Sequence, residues 1–168
     1  MQLQSMNDLT LHFLKDIYYA ERQILKALPK MAKASQSEKL REAFQTHREQ
    51  TQGQVERLTK AFEALGKRAQ GTTCEAIIGL IEECDSLVEQ TEAGPVRDAG
   101  LIACAQAVEH YEMARYGALV AWARAAGQRE VAQLLQETLD EEKQTDTLLN
   151  DLATKDINQQ AKGQTRAA

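Results

Sequence analysis

Ala105-Gln106-Ala107-Val108-Glu109-His110-Tyr111-Glu112-Met113-Ala114-Arg115-Tyr116-Gly117 is the stretch on which the fold turns. A helical step of about 100° per residue puts Leu101, Ala105, Glu109, Glu112, Tyr116, Leu119 and Ala123 on one stripe. That stripe is apolar apart from its two carboxylates, so Glu109 and Glu112 are expected to face the interior. A buried, ionised carboxylate is strongly disfavoured unless it is paired, hydrogen-bonded or bound to a cation. The segments on either side must supply the compensation.

Upstream, a first helix opens after Ser5-Met6-Asn7-Asp8, where Ser5 and Asp8 have capping-box spacing. Phe13, Ile17, Ile24, Leu28 and Met31 mark its inner face, Glu21 lies on the same face, and Pro29 is expected to loosen or kink the last turns. A second helix, from about Ser37 to Leu65, turns Leu40, Phe44, Thr51, Val55, Leu58 and Phe62 inward. His47 sits on that stripe and Gln54 flanks it, whereas Glu49 and Glu56 point to solvent. The segment from Gly66 to Gly94 far exceeds the roughly 2–8 residues of a helix hairpin loop. It is long enough to cross a bundle, and it carries a short amphipathic helix with Ile77, Ile81, Cys84 and Val88 on one side.

Downstream, Gly127 suits a left-handed C-cap and a tight turn into a last, antiparallel helix. This helix buries Val131, Leu135, Thr138, Leu139 and Leu149, and its stripe also carries Glu142, Thr145 and Asp146. The pattern predicts an all-α chain: a four-helix bundle over residues 1–154, made of two hairpins joined by a long crossover with an additional short helix, then a polar tail over 155–168 that frays or is disordered.

The composition fits one globular domain: 168 residues, 43% hydrophobic, with a formal net charge of -5. An acidic surface argues against nucleic acid or an anionic membrane as partner. No apolar run reaches the about 20 residues of a membrane span, and the first residues lack the pattern of a secretory signal, so the expected location is the cytoplasm. Cys74, Cys84 and Cys104 form no Cys-x-x-Cys pair and read as free thiols.

Glu21, His47, Glu109, Glu112, Glu142 and Asp146 lie well inside four separate helices and meet at a similar height in such a bundle. Five carboxylates and one imidazole cannot neutralise one another. Oxygen and imidazole donors suit iron, manganese or zinc, and one or two such ions would offset the charge. The competing account pairs the acids with Arg48 or Arg115, or protonates them, leaving a metal-free structural or interaction protein with a vestigial site. Gln54 and Tyr116 are expected to support the ligands, His12 and His110 to project outward, and Trp122 to sit at a subunit contact.

The runs Ala20-Glu21-Arg22-Gln23, Gly53-Gln54-Val55-Glu56-Arg57-Leu58, Leu80-Ile81-Glu82-Glu83, Glu109-His110-Tyr111-Glu112 and Glu141-Glu142-Lys143-Gln144-Thr145-Asp146 resemble the bacterial YciF/YciE stress-response family, most closely its YciF branch. The resemblance implies a ferritin-like fold, a cytoplasmic homodimer, expression linked to osmotic or general stress, and a dinuclear metal site. Ferritins and their relatives use Glu-x-x-His on two helices. Here the residues three before His12, His47 and His110 are Leu9, Phe44 and Ala107, and Thr145 or Asp146 stands where a histidine is expected. No catalytic activity is therefore assigned from sequence; oxidation of iron(II) or reduction of peroxide is the chemistry such a site would run.

Overall fold

A computed structural model describes residues 3–163. Helix α1 spans Met6–Ala34, α2 Glu38–Ala64, α3 Glu75–Gln90, α4 Pro95–Ala125 and α5 Arg129–Leu152, followed by a π-helical turn at Ala153–Ile157 and a short α6 at Asn158–Gly163. Helices α1 and α2 form one antiparallel hairpin and α4 and α5 the other; α1 packs on α4 and α2 on α5, closing a four-helix bundle. The crossover helix α3 lies outside it, against α4 and α1.

Local sequence sets the ends of these helices. The Ser5 hydroxyl accepts a hydrogen bond from Asp8 N at 3.1 Å while the Asp8 carboxylate accepts from Ser5 N at 3.0 Å. The Ser5 hydroxyl, 2.7 Å from Asp8 Oδ2, and then the Gln4 and Ser5 backbone N–H groups hold the Asp8 carboxyl below its ordinary range. Helix α1 continues through Pro29 to Ala34. Gly127, at φ 71°, closes α4 with paired bonds from Gln128 N to Ala123 O (2.9 Å) and Gly127 N to Arg124 O (3.0 Å). This turn satisfies the last carbonyls and reverses the chain into α5.

The core is formed by Leu14, Ile17, Leu40, Phe44, Phe62, Leu101, Leu119 and Leu135, all fully or almost fully buried. Each such side chain stabilises the fold by roughly 1.5–3 kcal/mol relative to exposure. The inward stripe expected on α4 is buried along its whole length, from Leu101 to Ala123. The C-terminal segment departs from the expected fraying after Thr154. The π-helical turn shifts the helical phase and brings Ala153 and Ile157 into the core, with Ile157 only 1% exposed. The last part of the expected tail, 164–168, lies outside the described residues.

One fold determinant was missed in the sequence. Asp98, in the first turn of α4, is 3% exposed, and its two carboxylate oxygens accept from Gln36 N (2.9 Å) and Ser37 N (2.7 Å). A single carboxylate thus ties the α1–α2 turn to the start of α4. Asp98→Ala leaves two backbone donors unpaired and is expected to cost about 2–4 kcal/mol. Urea unfolding checks this; a loss below about 0.5 kcal/mol, typical of an ordinary surface substitution, would refute the tie.

Candidate metal centre

The four bundle helices bring Glu21 from α1, His47 from α2, Glu109 and Glu112 from α4, and Glu142 from α5 into the interior, each at most 4% exposed. One ligand atom from each of His47, Glu109, Glu112 and Glu142 lies within 4.8 Å of the others. His47 Nε2 is 3.1 Å from Glu109 Oε1 and 3.8 Å from Glu142 Oε2, yet neither contact is aligned as a hydrogen bond. The other ring nitrogen, Nδ1, is 3.4 Å from the Thr145 hydroxyl, which leaves Nε2 directed at the carboxylates. The buried Tyr116 hydroxyl of α4 donates to Glu21 Oε1 on α1.

The unpaired atoms show what this layer lacks. Both oxygens of Glu112 and of Glu142, Glu21 Oε2, Glu109 Oε2 and His47 Nε2 have no hydrogen-bond partner. Buried polar atoms are rarely left unpaired, because each costs about 1–3 kcal/mol or more if charged. Here several such atoms converge on one point, as the donors of a cation site do. The bases considered as neutralising partners are elsewhere: Arg48 is exposed, and Arg115 lies 3.9 Å from Asp16 and stacks over the Phe13 and Tyr111 rings. Among the described residues, no Lys or Arg forms an ion pair with any acid of the layer. The donor set therefore fits a transition-metal ion.

Burial also sets the protonation of these groups. Loss of hydration pushes Glu112 well above the usual carboxylate range, and the nearby charges of Glu21 and Glu142 push it further. Desolvation, then Glu109 and Glu21, does the same to Glu142. Glu21 is raised to about 7 by burial, against the opposing pull of its bond from Tyr116. Burial lowers His47, but contact with Glu109 outweighs it and the imidazole is raised overall.

Asp146, expected in this layer, is placed elsewhere. It accepts from Gln106 Nε2 at 3.0 Å and lies 3.3 Å from the exposed His110 ring, at the rim of α4 and α5. The adjacent Thr145 takes the inward position and orients His47. Gln54 is fully buried but donates to Glu141 at 3.0 Å, within a cluster completed by Arg57 and Thr138. Gln50, one turn after His47, is the glutamine that contacts the imidazole. Its spacing three residues from His47 was the available signal.

An apolar cavity of about 40 Å3 reaches the centre at His47 and Glu109, between walls that include Leu28, Phe44, Cys84 and Cys104. It has room for a diatomic gas or a peroxide. Among the described residues, no helix is long and apolar enough to cross a membrane.

Comparison with known proteins agrees with this architecture. The pattern of the family described as Domain of unknown function (DUF892) matches residues 5–162. The chain is 46% identical over 162 residues to Protein YciF of Escherichia coli (strain K12), covering 96% of this chain and 98% of that one. The crystal structure of the E. coli stress protein YciF superposes with a TM-score of 0.89, covering 93% of this chain and 99% of that chain at 46% identity. YcfI from Rhodopseudomonas palustris superposes with a TM-score of 0.87 at 48% identity, covering 89% of this chain and 95% of the other.

Proposed function

For this chain, which belongs to the DUF892 family, we propose a stress-associated role in which the bundle core binds one or two ions of iron or manganese. His47, Glu109, Glu112 and Glu142 are the ligands, and Glu21, held by Tyr116, is a further one. The convergence of the first four residues' donor atoms within 4.8 Å, with no base among them, carries this reading. Its association with stress rests on similarity to the E. coli stress protein YciF. Zinc suits the same donors. The assembly is a cytoplasmic homodimer, with the half-buried Trp122, its ring tilted against Phe13 at 5.5 Å between centroids, close to the subunit contact.

When bound, such ions supply redox chemistry, the oxidation of iron(II) or the reduction of peroxide. The protein's own groups prepare the site. Thr145 fixes the imidazole so that Nε2 faces inward, and Tyr116 fixes one oxygen of Glu21. The apolar walls of the cavity exclude bulk water while admitting small neutral molecules. Burial and the neighbouring acids raise Glu112 and Glu142, so their service as ligands is coupled to proton release.

Anaerobic titration of metal-free protein with iron(II) or manganese(II), recorded in a pH-stat, tests this. Saturable uptake accompanied by proton release is expected. Uptake that fails to saturate, or that releases no protons, would contradict the site.

A further inference from the structure

Cys84 and Cys104 are free and face the same cavity from α3 and α4, and nothing in the metal chemistry uses them. Their placement follows from the register of the two antiparallel helices. At one end Arg97 donates to Thr91 Oγ1 at 3.2 Å and to Val88 O at 3.3 Å. One turn along, Gly100 meets Leu87 so closely that an added Cβ would lie 2.7 Å from Leu87 Cδ1. Beyond the cysteines, Cys74 Sγ and Tyr111 Oη are 3.0 Å apart. In each contact, a step up one helix is matched by a step down the other. Continued by one turn from Leu87 and Gly100, this register sets Cys84 opposite Cys104 on the wall of the cavity.

We propose that Cys84 and Cys104 are a redox-active dithiol, oxidised by hydrogen peroxide entering the cavity to a disulfide that joins α3 to α4. A disulfide needs its Cα atoms within about 4.4–6.8 Å, and the lack of a side chain at Gly100, where Leu87 packs into the gap one turn away, lets the two helices lie close beside the cavity that both cysteines line. Cys104 is the half-exposed member and the attacking sulfur, while Cys84 is only 6% exposed. The two thiols are close enough to share a proton: the interaction with Cys84 lowers the Cys104 thiol, and the same interaction, with burial, raises Cys84.

The Cys104 thiolate attacks one peroxide oxygen and the O–O bond breaks. The departing hydroxide takes a proton and leaves as water, and Cys104 becomes a sulfenic acid. The Cys84 sulfur then attacks the Cys104 sulfur, forming the S–S bond and breaking the S–O bond. The second hydroxide leaves as water with the Cys84 proton. Two thiols are oxidised and one peroxide is reduced to two waters. No metal takes part, so the step does not depend on the proposed centre.

The full chain, reduced, stripped of metal with chelator and treated with a small excess of hydrogen peroxide, provides the test. The intact mass should fall by two hydrogens, and a non-reducing peptide map should link the Cys84 and Cys104 peptides. Cys74→Ser should leave that link intact. In Cys84→Ser, with its helical content checked by circular dichroism, Cys104 should instead be trapped by dimedone as a sulfenic acid. Retention of all thiols, a link through Cys74, a link only between chains, or oxidation beyond sulfenic acid without any link would each overturn the proposal.

Discussion

Glu112→Gln is expected to make the metal-free protein more stable at neutral pH and to abolish its metal binding. Glu112 is fully buried, neither oxygen has a hydrogen-bond partner, and burial holds its carboxyl well above the ordinary range. A group raised on folding contributes its stability below the unfolded pKa, about 4.3 for Glu, and loses it as pH rises toward the folded pKa. The metal-free protein should therefore weaken from about pH 4 upward, with Glu21 at about 7 and the raised Glu142 acting in the same direction. Glutamine fills the same space without ionising. Its gain should reach about 1–3 kcal/mol near pH 7 and fade near pH 4.

Metal reverses this ranking. A ligand that binds only the folded state stabilises it by about 2.7 kcal/mol at roughly a hundred times Kd. The wild-type protein should receive this increment and the variant should not. Thermal unfolding of both proteins across pH, with chelator and with manganese(II), reads the two effects separately. A variant that melts below the wild type in chelator at neutral pH would show that the Glu112 charge is compensated by the protein alone.

Tyr116→Phe is expected to weaken metal binding about 10–100-fold at neutral pH, the usual scale for losing a partner that orients a ligand. The Tyr116 hydroxyl is buried and donates to Glu21 Oε1, while Glu21 Oε2 has no partner. Without that donor, both oxygens are unpaired and the carboxyl moves above its value of about 7, so a proton competes more strongly with the metal. The deficit should shrink as pH rises and Glu21 ionises, a trend that mere loss of packing would not produce. Competition titration against a chromophoric chelator at several pH values measures it. An unchanged affinity, or a deficit independent of pH, would remove Tyr116 from the support of the centre.

Much of the centre was legible because one periodicity governs it. The α4 stripe from Leu101 to Ala123 is buried as its spacing predicts, so Glu109, Glu112 and Tyr116 follow from the helix alone. Glu21, His47 and Glu142 were readable in the same way. Asp146 was not: positions four apart differ by only about 40° around a helix, and Thr145 and Asp146 straddle the edge of the stripe. Partners on another helix, Gln106 and His110, decide which of the two turns inward. Asp98 resembles an ordinary acid in a first turn, favourable to the helix dipole. Its actual partners are backbone donors at Gln36 and Ser37, more than sixty residues upstream. The phase shift after Leu152 depends in the same way on packing against α4, which no local pattern encodes.

Metal content per chain, measured by mass spectrometry on protein purified without a histidine tag and again after anaerobic reconstitution with iron(II) or manganese(II), tests the central claim most directly. The predicted result is near-stoichiometric metal in the wild type and its disappearance in Glu109→Gln. Wild-type protein that is empty as purified and takes up neither ion on reconstitution would contradict it, and would leave a protein whose buried acids are held by shared protons.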